Sequence, residues 1–468
     1  MPTAEFLSRL QFAFVMSFHI LFPAFTIGLA SWLAFIEGVW LVKRTDLWRD
    51  LYFFWLKIFA VAFGMGVVSG IVMSFQFGTN WAGFSIVAGN VVGPLLNYEV
   101  LTAFFLEATF LGVMLFGWTR VSHRMHFIAT CMVALGTLLS AFWIMSANSW
   151  MQTPAGYALH DGVFYPRDWW QVIFNPSFMV RLPHMVLAAF ISTAMVVGGV
   201  SAVFLLKRQF VDKAQVMLKL ALAFLAIVIP IQIVVGDMAG LKVREYQPAK
   251  LAAIEARWET ASSVPLTLFA WPDEQAEANR YALDLPHLGS LILTHSWNGE
   301  VKGLKDFPVD QRPPVKLPFF SFRVMVGLGL AMLLLALIGL WRWRRGTLWQ
   351  GRGYLVAWVV MIPSGFVALL TGWWVAEVGR QPWVVQGLMR TAQAASHVPA
   401  SSVLASLITF VVVYIGIFGA GLWYLVKLFR TGPVAAPQRG GHPQAPVHGS
   451  PHRTPARPLS APDESMRQ

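Results

Sequence analysis

The sequence predicts an all-α integral membrane protein of nine transmembrane helices, with the N-terminus outside and the C-terminus in the cytoplasm. Three observations lead there. Hydrophobic residues make up 56% of the 468-residue chain and charged residues 12%. Apolar runs of roughly 20 residues, enough to cross the hydrocarbon core of a bilayer, recur along most of it. The loops between the runs alternate in basic content, as membrane topology requires.

Hydropathy places the spans at about 12–42, 52–75, 95–118, 127–147, 184–206, 219–236, 322–341, 354–377 and 403–428. One set of connections carries Lys43, Arg44 and Arg49, then Arg120 and Arg124, then Lys207, Arg208 and Lys213, then Arg342, Arg344 and Arg345, and last Lys427 and Arg430. The other set includes 76–94, expected to be a loop, which has no Lys or Arg. The positive-inside rule puts the first set in the cytoplasm, and an odd number of spans agrees with opposite sides for the two ends. The first run is too long for a cleaved signal peptide and is expected to stay as a helix.

The formal net charge of +12 would suggest a nucleic-acid partner in a soluble chain. Here the basic residues sit in short loops and in the C-terminal tail, and no groove-binding motif is present, so nucleic acid is excluded. The single cysteine, Cys131, permits neither an intrachain disulfide nor a thiolate metal site. The chain divides into spans one to six (1–236), an external loop (237–321), spans seven to nine (322–430) and a cytoplasmic tail (431–468). Within the loop, KLAAIEARWET (250–260) reads as an amphipathic surface helix, and the Pro-rich but partly apolar remainder reads as an ordered lid. The tail is Pro, Gly, His and Arg rich and is expected to be disordered, its His442, His448 and His452 binding metal only adventitiously. No internal repeat marks an inverted-repeat transporter.

Ionisable residues inside the spans carry the chemistry, because their burial in lipid is costly without a partner. Glu377 closes span eight in GWWVAEVGRQPW, followed by Arg380, Pro382 and Trp383 at the interface. His19 lies in span one, where a histidine either hydrogen-bonds a neighbouring helix or coordinates a cofactor. His184 opens span five and Met325 opens span seven, at similar depth. A His/Met pair is an axial set for a six-coordinate electron-transfer haem, although methionine in a membrane helix is commonly packing. Arg323 would suit a propionate or serve as a snorkelling anchor. Glu99 and Glu107 share span three, about 80° apart and ~12 Å apart along an ideal helix, and paired intramembrane acids mark an ion or proton path. Ser140 continues such a path or packs as a plain hydroxyl. Lys57 and Glu37 read as interfacial. By depth, His184, Met325, Glu99 and Glu377 fall near the outer ends of their spans, His19 in the outer half, and Glu107 alone reaches toward the cytoplasm. Two other readings stay open: a proton-coupled transporter without haem, and a two-haem cytochrome without oxygen chemistry.

The motifs SRLQFAF with His19, FQFGTNW (75–81), AFFLEATF with Glu107, SWMQTP (149–154), His184, KLAAIEARWET, FRVM (322–325) and GWWVAEVGRQPW together resemble subunit I of the cytochrome bd quinol oxidases, up to about Arg430. The resemblance implies an oxidoreductase of the bacterial inner membrane with three haems. His184 and Met325 would hold a low-spin haem b. His19 and Glu377 would bind a high-spin haem b and a second high-spin haem, d or b, with Glu99 close by and able to supply a further ligand. Arg323, Arg380 and Trp373 would line the haems. Glu107 and Ser140 match the family's proton route, and Lys250 and Glu255 its quinol handling. The implied partners are quinol, O2, membrane lipid, a second membrane subunit and, in some members, a small single-span subunit. The short stretch between KLAAIEARWET and FRVM resembles the short-loop branch that includes the cyanide-insensitive oxidases.

Overall fold

The computed structural model describes residues 3–435. Most of the expected tail, with its three histidines, lies beyond 435 and so outside the described residues, while its first residue, Thr431, closes the last helix. Among the described residues, nine helical segments are long and apolar enough to cross a membrane: Ala4–Lys43, Asp46–Thr79, Ala82–Phe116, His123–Gln152, Phe178–Leu206, Val211–Tyr246, Lys316–Arg344, Arg352–Val378 and Ala400–Thr431. They match the nine runs read from hydropathy, and most are several residues longer than those runs.

Three of the nine are interrupted. The first is α1 (Ala4–His19) and α2 (Leu21–Lys43). Pro23 has no N–H to donate to the carbonyl four residues back, that of His19, and the helix breaks there. The third is α4 (Ala82–Glu99) and α5 (Phe105–Phe116), joined by one π-helical turn at Val100–Phe104. The eighth is α13 (Arg352–Val360) and α14 (Ser364–Val378). Between them run α3 (Asp46–Thr79), α6 (His123–Gln152), the short α7 (Trp169–Ile173), α8 (Phe178–Leu206) and α9 (Val211–Tyr246). The long connection contains α10 (Pro248–Ile254) and α11 (Leu288–Thr294). It leads to α12 (Lys316–Arg344), and α15 (Thr391–Ala394) and α16 (Ala400–Thr431) close the fold.

At the centre is α8, most of whose apolar stretch is buried, packed on α2, α6, α9, α13 and α14. Trp358 of α13 lies against Gly198 of α8 so closely that any Cβ there would overlap its ring. Four two-stranded antiparallel sheets sit in the connections: β1 (Tyr157–His160) with β2 (Val163–Pro166), β3 (Ala261–Ser262) with β6 (Glu300–Val301), β4 (Leu266–Asp273) with β5 (Ala278–Leu285), and β7 (Trp383–Val385) with β8 (Met389–Arg390).

Four local expectations are corrected. The segment 76–94 is no loop: α3 runs to Thr79 and α4 begins at Ala82, so only Asn80 and Trp81 turn the chain. Its Ala, Val and Gly content suits a lipid-level helix despite the missing charge. Glu99 therefore lies about 26 Å along its span from the turn, midway rather than near the end. KLAAIEARWET is helical only to Ile254 and is not a surface element, since Lys250 to Ala256 are all buried. It is clasped by α9, α12 and the rest of the loop through a core of Ala252, Ala253, Trp258, Ala270, Leu304 and Phe319. Glu37 is not interfacial: it is fully buried, 2.7 Å from His126 Nδ1, and accepts a bond from the Thr130 hydroxyl at 2.6 Å.

Candidate functional site

Three of the sequence-predicted haem ligands, His19, His184 and Met325, are each seated against a glycine on a neighbouring helix. His19, at the break in span one, receives or donates a 2.9 Å bond between Nδ1 and Ser69 Oγ of α3, and a Cβ on the adjacent Gly70 would come 3.1 Å from its Cε1. His184 lies about 9 Å into α8. A Cβ on Gly236 of α9 would meet its Cε1 at 3.2 Å, and Gln232 of α9 donates to its carbonyl at 3.0 Å. The buried His184 Nδ1 has no hydrogen-bond partner. Met325 lies about 14 Å into α12, where a Cβ on Gly372 of α14 would stand 2.8 Å from its sulfur. Larger residues at these glycines would push the donor side chains away.

Glu377, one residue from the end of α14, is the hub of a polar cluster. Its Oε1 accepts from Asn148 Nδ2 at 2.9 Å and Gln152 Nε2 at 3.3 Å, and its Oε2 pairs with Arg380. Arg181 of α8 donates to Asn148 Oδ1 at 2.5 Å and Ser149 Oγ at 3.3 Å. Lys250 reaches in from α10, donating to the Ala376 carbonyl at 2.8 Å and to Gln152 Oε1 at 3.0 Å. Gln247 donates to Gln152 and to Gln386, both at 3.0 Å. Burial pushes the Lys250 amine well below the usual lysine range, and the nearby Arg181 pushes it the same way. Burial also lowers Arg380, with Glu377 opposing. Two guanidiniums, of Arg181 and Arg380, and the Lys250 amine thus surround one carboxylate, and Arg380 Nε and Nη1 are buried without a partner. A buried excess of positive charge with unpartnered guanidinium N–H groups calls for anions.

The two acids of span three face the same neighbour. The π turn adds about one residue, which rotates the rest of the span back by about 100° and brings Glu107 to within roughly 20° of Glu99. Ser140 Oγ of α6 donates to Glu99 Oε1 at 2.8 Å, and a Cβ on Gly136, one turn along α6, would stand 2.5 Å from Glu107 Cγ. Trp373 packs against the cluster of Ile20, Ala24, Ala141 and Leu369, and Trp374 Nε1 donates to Ser17 at 3.2 Å. The His19 break, the Ser140 turn and the end of α14 are thereby gathered into one region.

Arg323 lies about 10 Å into α12. It is held by the loop, donating to the Ile254 carbonyl at 2.5 Å, the Thr267 carbonyl at 2.8 Å and Glu255 Oε2 at 2.7 Å. Glu255 is therefore the buried partner of Arg323, and Lys250 belongs to the Glu377 cluster. Sequence reasoning missed Arg181, Asn148, Gln152, Gln247 and the three glycines. Their one signal was proximity to recognised motifs: Arg181 is three residues before His184, and Asn148 and Gln152 flank or fall in SWMQTP.

These residues fit haem. Among the described residues no group of three or more His, Cys, Asp or Glu comes together to hold a bare metal ion. Isolated His, Met and Glu donors on different helices suit a macrocycle that brings its own nitrogens, glycines beside each of His19, His184 and Met325 leave room at the donors, and the cationic cluster suits propionates.

The chain matches the family described as cytochrome bd terminal oxidase subunit I over residues 7–433. It is 38% identical to cytochrome bd ubiquinol oxidase subunit 1 of Bacillus subtilis (strain 168), covering 95% of this chain and 97% of that protein. It is 33% identical to cytochrome bd-II ubiquinol oxidase subunit 1 of Escherichia coli (strain K12), covering 92% and 97%. The solved structure of bd oxidase from Geobacillus thermodenitrificans superposes with a TM-score of 0.84 at 31% identity, covering 92% of this chain and 99% of that one. With its nine apolar helices and bacterial relatives, the protein is a multi-pass component of the bacterial inner membrane. The chain belongs to the cytochrome bd terminal oxidase subunit I family.

Proposed function

We propose that this chain is the haem-bearing subunit of a terminal oxidase that takes electrons from quinol on the side of the long loop and delivers them to O2, forming water with protons from the cytoplasm. The observation that carries the reading is the cationic cluster on Glu377, continuous through α14 with the Met325 seat and through α8 with His184. His184 and Met325 would hold a low-spin haem b. His19 and Glu377 would hold a high-spin haem b and a second high-spin haem, d or b, with Glu99 near them. When bound, the haems supply the electron transfer and the reduction of oxygen.

The chain's own residues do the rest. Arg181, Arg380 and Lys250 neutralise the carboxylate of Glu377 and the propionates. Glu99 and Glu107, aligned by the π turn on the Gly136–Ser140 face of α6, give protons a polar track through an otherwise apolar span. The buried Arg323–Glu255 pair fastens the loop over the mouth of span seven, where quinol would dock. Net charge then moves across the membrane by geometry, electrons and protons arriving from opposite sides without a pump. The N-terminus would lie outside, and a second membrane subunit would complete the assembly, as the numbering of the relatives as subunit 1 suggests, with a small single-span subunit in some arrangements. A reduced-minus-oxidised spectrum with and without carbon monoxide tests this. The reading expects a low-spin signal plus a carbon monoxide-reactive high-spin signal. A spectrum without the second would leave a cytochrome with no oxygen chemistry, and one without either would leave a transporter.

A further inference from the structure

The hairpin of β4 and β5 in the external loop has two faces of unexpected character. One packs inward: Thr267 and Ala270 are buried, Ala270 within the loop's own core. The other would normally be polar if it stood in water. Instead it carries Phe269, Trp271, Leu283 and Leu285, all exposed, with Arg280 paired beside Trp271. Phe269 pairs with Leu283, Leu285 follows Leu283 by two residues along β5, and Trp271 follows Phe269 by two along β4 with its ring on the same Phe320, which puts these four on one side; the β5 register slips at Tyr281, whose φ is +53°.

The hairpin's height is fixed by α12. The Thr267 carbonyl accepts from Arg323, the Phe269 and Trp271 rings lie 6.0 and 5.7 Å from that of Phe320, Lys316 Nζ stands 5.7 Å from the Trp271 ring, and Glu274 accepts from the Val315 and Lys316 amides. β4 therefore runs antiparallel to the first two turns of span seven, within about 12 Å of its end. A 29-residue helix is longer than the hydrocarbon core needs, so those turns lie at headgroup level. The side of α12 that carries Phe320 continues down the helix as exposed Val324, Leu334 and Ile338, all within about 40° of it at 100° per residue.

We infer that the β4–β5 hairpin is a membrane anchor: its Phe269, Trp271, Leu283 and Leu285 face is seated in the headgroup layer of the outer leaflet, holding the loop down over the mouth of span seven. The occupant is lipid, because the face is continuous with the exposed apolar side of α12, a membrane-length helix, and has the aromatic-plus-lysine make-up of an interfacial belt.

The test uses the assembled oxidase in phospholipid nanodiscs, with Cys131→Ser and a partner subunit free of reactive cysteine. Nitroxide labels go on Leu283→Cys and Leu285→Cys, with Leu334→Cys as a lipid-facing control and Lys302→Cys as an exposed loop control. Power saturation compares access to O2, which concentrates in lipid, with access to a nickel chelate, which stays in water. The anchor predicts that at both hairpin positions the O2-to-nickel ratio is raised several-fold over the Lys302 control, toward the value at Leu334. A ratio equal to the Lys302 control at both positions overturns the inference. So does poor access to both reagents, which would mean that protein covers the face.

Discussion

Gly372→Ala tests the Met325 seat without touching any proposed ligand. The new Cβ would stand 2.8 Å from the Met325 sulfur, whereas carbon contacts of this kind settle at about 3.5–4.0 Å. The thioether must therefore retreat by about 1 Å. Overpacking of this size costs about 1–3 kcal/mol, which converts to roughly a five- to hundred-fold loss of the ligated population. Because a Met/His pair raises the potential of a low-spin haem, the variant should show a diminished or shifted low-spin band and a lower midpoint potential by spectroelectrochemical titration. Gly327→Ala is the control. It lies two residues from Met325 on the same helix, and a Cβ there meets nothing within 4 Å. An unchanged band and potential in Gly372→Ala, or an equal change in Gly327→Ala, would refute the reasoning.

Two further predictions bear on the acids. Glu107→Gln should slow oxygen consumption many-fold while leaving the KM for quinol and the haem spectra near those of the parent. Gly136→Ala, whose Cβ would press on Glu107 Cγ at 2.5 Å, should slow it in the same way without removing the charge, and normal turnover in both would place the proton track elsewhere. Asn148→Ala removes the 2.9 Å bond to Glu377 and the acceptor for Arg181, at a cost of about 1.5–3 kcal/mol for a bond to a charged group. It should weaken the carbon monoxide-reactive band and spare the low-spin band, as measured by difference spectra.

The number of spans was legible because hydrophobic length and loop charge are one-dimensional properties. What could not be read is pairing between distant residues. Glu37 looked interfacial from its place near a span end, yet its partner His126 is 89 residues away, and only the packing of α2 on α6 makes a buried pair of them. The angle between Glu99 and Glu107 expected from the ideal pitch holds only for a regular helix, and the π turn between them has no sequence signature that the pitch would reveal. Lys250 shows the same limit. The stretch KLAAIEARWET reads as an amphipathic surface helix, but α10 is walled in by α9, α12 and the loop core, which sends the amine inward to Gln152 and the Ala376 carbonyl. Arg323 and Glu255, assigned separate roles from their motifs, turn out to be partners 2.7 Å apart.

The claim on which the account rests is that the His184 and Met325 seats hold a haem of their own, separate from those at His19 and Glu377. Pyridine haemochrome analysis of the purified assembly, parent against His184→Ala, measures this directly. The account predicts that the variant loses one haem b per assembly together with the low-spin band, and keeps the carbon monoxide-reactive signal. An unchanged haem content with an intact low-spin band would contradict it.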